Sequence, residues 1–127
     1  MPELRRPRRF ESVADVCDVA VGLVREAGWD EADVTRVALA MGEAVANAVE
    51  HGGGDDVHFD VDADARCLTV RVDDGGPGPD ADRLDRATLP DDPLATSGRG
   101  LFILQQVTDE VEVESTGALR FVIRARA

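Results

Sequence analysis

Two stretches in the first half of the chain repeat apolar residues at helical spacing. The first stretch begins near Ser12, which forms with Asp15 a pattern similar to a capping box, and stops at Gly28. The second begins at Asp30 or Thr35 and ends at the Gly52–Gly54 run. Intervals of three or four residues place the apolar side chains of each stretch on one face, so the pattern predicts two amphipathic helices. The apolar series of the second helix is Val34, Val37, Met41, Val45 and Ala48.

Apolar and polar residues alternate in other parts of the chain, as in half-buried strands. Residues 56–73 predict a hairpin that turns near Ala63–Ala65, and residues 4–11 predict a first strand. A last hairpin is predicted from Val111–Glu114 and Leu119–Arg124, around Thr116–Gly117.

Between the two hairpins, Gly100–Thr108 has a helical pattern, whereas 79–98 is rich in Pro and Asp. The latter stretch predicts at most a short helix around Ala81–Arg86. We therefore expect an α/β two-layer sandwich, with a mostly antiparallel sheet covered on one face by helices. Residues 1–127 are expected to form a single domain, with 1–9 as a flexible arm or an edge strand.

Composition narrows the classes of function. The chain has 127 residues, 43% of them hydrophobic, and a net charge of −12. That charge argues against direct nucleic-acid binding, although Arg5–Arg9 is a local basic cluster. The sequence predicts neither a signal peptide nor a membrane span, and the spacing of Cys17 and Cys67 fits neither a metal site nor a disulfide framework. We expect a cytoplasmic protein that does not bind membranes, with buried thiols.

The second helix carries a polar face that could hold chemistry. Glu43, Asn47 and His51 fall within about 80° of one another, roughly opposite the apolar series. A solvated polar face is the ordinary interpretation. However, the neighbouring alanines are small enough for a ligand to approach, and an Asn oxygen suits Mg²⁺ that is otherwise bound by phosphate and water. Glu43 could hold or deprotonate a nucleophile beside a phosphate, whereas His51 is more typical of a helix C-terminal cap than of a ligand.

Two glycine-rich segments follow this helix. The first, Asp74–Gly78, ends the alternation of a strand. An ordinary turn explains its residues. Alternatively, Asp74 accepts a hydrogen bond from the exocyclic amine of adenine, and Gly76 and Gly78 let the backbone approach the base. The second, Ser97–Leu101, ends the long 79–98 segment at a helix start. Backbone N–H groups and Arg99 could bind phosphate there, although glycines at this position equally serve helix capping.

The three segments together resemble the GHKL (Bergerat-fold) ATP-binding domain, and most closely the small anti-sigma factors that are serine-protein kinases. The likeness covers roughly residues 10–124. The N box of that family resembles ALAMGEAVANAVEHG, and its first glycine box resembles VRVDDGGPGPD. Its second glycine box and the following strand resemble TSGRGLFILQQVTDEVEVES.

The resemblance implies a role for each segment. Glu43 would be the general base, Asn47 the Mg²⁺ ligand, and Asp74 the adenine reader. The segment 79–98 would be the ATP lid. ATP and Mg²⁺ are the implied cofactors, and the residues implied to line the nucleotide are Gly76, Gly78, Ser97, Gly98, Arg99, Gly100 and Leu101.

The resemblance also implies partners: a sigma factor, a STAS-type antagonist phosphorylated on serine, and a second copy of the chain. Some relatives carry a lid arginine that touches the γ-phosphate, where this chain has Ala95–Ser97, with Arg99 as a candidate substitute. Three hypotheses remain open: an anti-sigma serine kinase, an ATP-gated module that sequesters a partner without phosphorylating it, and the catalytic domain of a histidine kinase. The third is the weakest, because no helical hairpin bearing a phosphoacceptor histidine is predicted before the domain.

Overall fold

The computed structural model describes residues 3–75 and 99–126, which form a five-stranded sheet and three helices. Every neighbouring pair of strands is antiparallel, in the order β1-β2-β3-β5-β4. The strands are β1 (Glu3–Pro7), β2 (Asp56–Ala63), β3 (Cys67–Asp73), β4 (Glu110–Val113) and β5 (Leu119–Arg124), and the helices are α1 (Glu11–Glu26), α2 (Glu31–His51) and α3 (Arg99–Val107). The predicted two-layer α/β sandwich is confirmed.

The core lies between the helices and one face of the sheet. β2 and β3 bury alternate residues, as their apolar–polar alternation predicts, whereas β5 buries Val122 as well as its inward-facing neighbours. Each of these apolar side chains contributes about 1.5–3 kcal/mol to the free energy of folding by leaving water. The inward-facing residues are Val57, Phe59, Val61, Leu68, Val70, Val72, Leu119, Phe121 and Ile123.

α2 is the central helix of the helical layer, because α1 and α3 both pack against it. Its apolar series is buried as predicted, and Ala40, Ala44 and Val49 are buried as well. The helix is capped by Asp30, the first of the two predicted starts, whose side chain accepts a hydrogen bond from the Asp33 N–H at 2.9 Å. It ends before Gly52, as predicted.

α1 ends where its pattern predicts, at a glycine in the left-handed region. Gly28 has a φ of 89°. The Gly28 N–H donates to the Arg25 carbonyl at 3.1 Å, and the Trp29 N–H donates to the Val24 carbonyl at 3.0 Å. These two bonds form a Schellman motif, which satisfies carbonyls of the last helical turn.

The predicted start of α1 is wrong. The helix begins at Glu11, and no side chain caps it. Ser12 lies inside the first turn and donates instead to the Pro7 carbonyl at 2.7 Å. The hydroxyl therefore fastens the helix to the end of β1, which the capping pattern could not reveal because both uses favour a serine near a helix start.

β1 is an edge strand, as predicted, but it ends at Pro7 and not at residue 11. Beyond it, the Arg8 N–H donates to the Asp55 carbonyl at 2.9 Å, and the chain then turns into α1. Phe10 lies in this turn and remains 66% exposed.

A cluster of charged groups fixes the first turns of α2 to the end of β5. Arg36 lies 3.1 Å from the Asp33 carboxylate and 3.1 Å from the Asp109 carboxylate. Asp33 also accepts from the Arg126 N–H at 2.8 Å, and Asp109 from the Arg124 N–H at 2.6 Å. We call these five residues the N-terminal cluster of α2.

The remaining predicted elements match closely. The β2–β3 turn contains Asp64, whose carboxylate accepts from the Arg66 and Cys67 N–H groups at 2.7 and 2.9 Å. Trp29 anchors that turn by donating to the Asp64 carbonyl at 2.7 Å. α3 and the β4–β5 hairpin lie within a residue or two of their predicted positions, with Gly117 in the turn at a φ of 93°.

Both cysteines are free and half-buried, less enclosed than the buried thiols expected. Burial, followed by the nearby Asp18 charge, raises the pKa of the Cys17 thiol to about 11. Within the described ranges, no helix is both long and apolar enough to cross a membrane. The predicted short helix around Ala81–Arg86 lies outside the described residues.

Candidate nucleotide-binding site

The polar face of α2 is partly accessible, while the opposite face is in the core. Glu43 and Asn47 are half-buried and one turn apart, whereas Met41 and Val45 are fully buried. None of the hydrogen bonds or ion pairs within residues 3–75 and 99–126 involves the Glu43 or Asn47 side chain. The helix therefore presents two side-chain oxygen donors that its own described surroundings do not use.

Two of the three alanines on this face are less accessible than the sequence predicts. The alanines near Glu43 and Asn47 were expected to leave room for a ligand, but Ala44 and Ala48 are each only 1% exposed. Their small size lets the neighbouring elements pack closely against α2. Of these three alanines, only Ala46 is half-buried and so leaves room for a ligand to approach.

Asp74 lies at the end of β3 and is brought against the C-terminal end of α2. The Gly53 and Gly54 N–H groups donate to the Asp74 carbonyl at 3.2 and 3.0 Å. A Cβ atom on Gly52 would lie 3.1 Å from the Asp74 Cβ. The side chain of Asp74 is 6% exposed. The first glycine box therefore begins beside the helix that carries Glu43 and Asn47, although the two are separate in sequence.

The turn after Asp74 requires a glycine. Gly75 has a φ of 74°, and its N–H donates to the Asp73 carboxylate at 3.1 Å in an Asx turn. A Cβ on Gly75 would also come within 3.2 Å of the Gly54 backbone nitrogen. Both the positive φ and the close approach disfavour a side chain here.

The other predicted nucleotide residues are placed only in part. Gly76, Gly78, the 79–98 lid, Ser97 and Gly98 lie outside the described residues. Arg99, Gly100 and Leu101 form the first turn of α3, so the second glycine box opens a helix as predicted. Because α3 packs on α2 through the buried Leu104, this helix start belongs to the same layer as Glu43 and Asn47.

Arg8 is the residue near this site that the sequence did not reveal. Its Nε donates to the Gly54 carbonyl at 2.6 Å and its Nη1 to the Val49 carbonyl at 3.0 Å. Val49 is in the last turn of α2, where carbonyls lack helical partners and a cation is favourable. His51 was the predicted cap, and its role stays a prediction. The only signal for Arg8 was the basic cluster, and its partners lie 41 and 46 residues away.

A cavity of about 540 Å³ lies elsewhere, on the open face of the sheet, lined by residues that include Asp60, Thr69, Arg71 and Arg120. None of the predicted site residues lines it. The candidate site is the arrangement of Glu43, Asn47 and Asp74, because these side chains can bind a base or a metal ion or accept a proton. The cavity, in contrast, is an open surface between charged side chains.

Two comparisons of the sequence with known proteins give matches over most of the chain. The histidine kinase-like ATPase domain family matches residues 7–126. Serine-protein kinase RsbW of Bacillus velezensis is 30% identical over 129 residues, an alignment that covers 92% of this chain and 79% of that protein.

A solved structure supports the fold independently. The crystal structure of the RsbU and RsbW domains of a Mycobacterium tuberculosis protein superposes with a TM-score of 0.61 at 20% identity, over 99% of this chain. This chain spans about a third of the length of that one, 32%. Its fold and its sequence therefore place the chain in the histidine kinase-like ATPase (GHKL) superfamily, in the family of anti-sigma factor serine-protein kinases.

Proposed function

We propose that this chain is an ATP-dependent anti-sigma factor, which binds a sigma factor and phosphorylates a serine of a STAS-type antagonist protein. The observation that carries the proposal is that Asp74 is held against the end of the helix that bears Glu43 and Asn47. Such an arrangement can bind the base of a nucleotide at one point and its phosphates at another. The serine acceptor is supported by the name of the relative, a serine-protein kinase.

Asp74 is the proposed adenine reader. A carboxylate only accepts hydrogen bonds, so it suits the exocyclic amine of adenine and not the carbonyl that guanine presents there. Asp74 is only 6% exposed, so few solvent hydrogen bonds are open to it and the group placed beside it matters. Nucleotide-lining roles are proposed for Gly76, Gly78, Ser97, Gly98, Arg99, Gly100 and Leu101.

Asn47 is the proposed Mg²⁺ ligand. Its amide oxygen is a hard donor on an accessible face, and no hydrogen bond from the described residues occupies it. The residues 3–75 and 99–126 contain no group of three or more His, Cys, Asp or Glu that could hold a metal. The proposed ion would therefore be bound mainly by phosphate oxygens and water, as Mg²⁺ commonly is. When bound, it would offset the phosphate charge.

Glu43 is the proposed general base. The serine oxygen attacks the γ-phosphorus, the bond from that phosphorus to the β–γ bridging oxygen breaks, and ADP leaves with the bond's electron pair. The serine hydroxyl proton passes to the Glu43 carboxylate. Glu43 lies one helical turn before Asn47, so one residue can face the attacking hydroxyl while the other holds the metal ion.

The test follows the γ-phosphate of labelled ATP onto an antagonist protein. Glu43→Gln should lower the phosphotransfer rate by about 10² to 10⁴, the usual contribution of a positioned base, and should leave Mg-ATP affinity nearly unchanged. Phosphorylation at the wild-type rate would remove Glu43 from the role of base.

A second candidate function is an ATP-gated module that sequesters its partner without kinase activity. The absence of arginine from Ala95–Ser97 favours it. Wild-type protein that binds ATP and retains a sigma factor, but transfers no label to the antagonist, would establish this function in place of the kinase.

We also propose that β1 and α1 form the face of a homodimer. β1 pairs only with β2 among the described strands, so its other edge can accept a strand, and Phe10 adds exposed apolar surface at its end. Light scattering with nucleotide present should give the mass of a dimer. A monomer at high micromolar concentration would exclude this face.

A further inference from the structure

We infer that Arg8 is a positioning residue for nucleotide selection, which acts by holding the Gly52–Gly54 loop against Asp74. The inference rests on the proposed adenine-reading role of Asp74. It makes the N-terminal arm, which belongs to neither glycine box, a determinant of which base the protein accepts.

Arg8 contacts both the loop and the helix that precedes it. Its guanidinium joins the carbonyl of Gly54, in the loop, to the carbonyl of Val49, in the last turn of α2, at 2.6 and 3.0 Å. Its aliphatic part packs on the loop as well, because a Cβ on Gly52 would lie 2.7 Å from the Arg8 Cδ. One side chain therefore fixes the loop relative to the helix.

The same loop is hydrogen-bonded to the backbone of Asp74. The Gly53 and Gly54 N–H groups both bind the Asp74 carbonyl, at 3.2 and 3.0 Å. The close approach of Asp74 to Gly52 leaves no space for a side chain between them. A displacement of the loop is therefore transmitted to the backbone from which the Asp74 carboxylate projects.

The loop cannot hold this position by packing of its own. Three consecutive glycines have no side chains to bury and lose more conformational entropy on ordering than any other sequence. Arg8 is half-buried, so its charge-assisted bonds to two carbonyls are stronger than those of a solvated arginine. Removing Arg8 frees the loop and leaves the adenine reader less well placed.

The experiment compares the dissociation constants for ATP and GTP, measured by calorimetry on the full chain. Arg8→Ala should weaken ATP binding about tenfold while GTP binding changes little, so that the preference for ATP contracts. Arg8→Lys keeps the charge but cannot reach both carbonyls as a fork, and should give an intermediate preference. Arg6→Ala is the matched control, because Arg6 is a neighbouring arginine that pairs with Asp15 of α1 and not with the loop.

A merely structural role for Arg8 would lower the melting temperature and weaken both nucleotides alike. The combination with Asp74→Asn separates the two explanations. If Arg8 acts through Asp74, Arg8→Ala should have no further effect on the ATP-to-GTP ratio once Asp74 is replaced. If Arg8→Ala does not fold, Arg8→Lys is compared with wild type in the same two backgrounds.

Two results would overturn the inference, and they differ. If Asp74→Asn loses the preference for ATP while the Arg8 variants keep it, Arg8 does not position the reader and the proposed role of Asp74 stands. If Asp74→Asn itself keeps the wild-type preference, the adenine-reading role fails and the inference fails with it.

Discussion

The two ends of α2 use similar residues in different ways. At the N-terminal end, Asp33 and Arg36 are only 4% and 13% exposed and bind each other, the β5 end and Asp109. Toward the C-terminal end, Glu43 and Asn47 are half-buried, and no hydrogen bond or ion pair within the described ranges engages their side chains.

The difference indicates which polar groups serve the fold and which remain for a ligand. A buried charge is stable only when its partners are supplied, and the N-terminal cluster supplies them from within the chain. The side-chain oxygens of Glu43 and Asn47 bind nothing in the described fold. They are therefore available to a nucleotide and a metal ion. We therefore expect substitutions at the first end to change stability, and substitutions at the second to change binding and catalysis.

Arg36→Ala should produce the largest loss of stability. It removes the Arg36 guanidinium from the buried Asp33 carboxylate and from the Arg124 carbonyl, to which the guanidinium donates, so the free energy of unfolding should fall by about 3–5 kcal/mol. Urea denaturation measures this loss, and Mg-ATP affinity at low temperature, where the variant is folded, should stay near the wild-type value. A stable variant with impaired nucleotide binding would reverse our assignment of this end.

Asp74→Asn should have a smaller effect, confined to nucleotide choice. The amide places a donor where the carboxylate only accepted, so ATP binding should weaken by about 1–3 kcal/mol relative to GTP. Calorimetry with ATP, ADP and GTP checks the change. Equal affinity of the wild-type protein for ATP and GTP would remove the adenine-reading role.

The pH dependence of stability should be a smaller effect still, arising from the N-terminal cluster. Burial alone would raise the pKa of Asp109, but the hydrogen bonds from the Arg124 N–H and the Arg36 guanidinium lower it below its ordinary value. Because the carboxylate is more acidic in the folded protein, its stabilising contribution is present above the ordinary pKa and is lost as the pH falls through the folded value.

Urea midpoints measured from pH 6 to pH 3 should therefore decline, and Asp109→Asn should decline less steeply over the acid end of that range. An unchanged slope in Asp109→Asn would show that other carboxylates govern the acid limb.

Local patterns in the sequence predicted most of the fold. Alternation predicted the β2–β3 and β4–β5 hairpins, and the helical spacing with Asp30 and Gly28 predicted where α2 begins and α1 ends. These features depend on neighbouring residues, so the sequence contains them directly.

Long-range contacts could not be predicted in the same way. Arg36 and Asp109 are 73 residues apart, and Arg8 and Gly54 are 46 apart. Nothing in the local sequence distinguishes these arginines from surface arginines. The start of α1 was mispredicted for a similar reason, since Ser12 binds the end of β1 and not its own helix.

The candidate site was predicted in outline from three motifs in order. What the structure adds is the junction of the Gly52–Gly54 loop with Asp74, which turns separate motifs into one site. The motifs could not reveal this junction, because backbone hydrogen bonds between distant segments do not depend on which side chains the residues carry.

The most direct test of the central claim is a calorimetric titration of Asn47→Ala with ATP, with and without Mg²⁺. Asn47 is half-buried and its side chain makes no hydrogen bond within the described part of the chain, so the variant should unfold like wild type. We predict that Mg²⁺ strengthens ATP binding to the wild-type protein and has no such effect on Asn47→Ala. An Asn47→Ala protein that binds Mg-ATP as tightly as wild type would contradict the account.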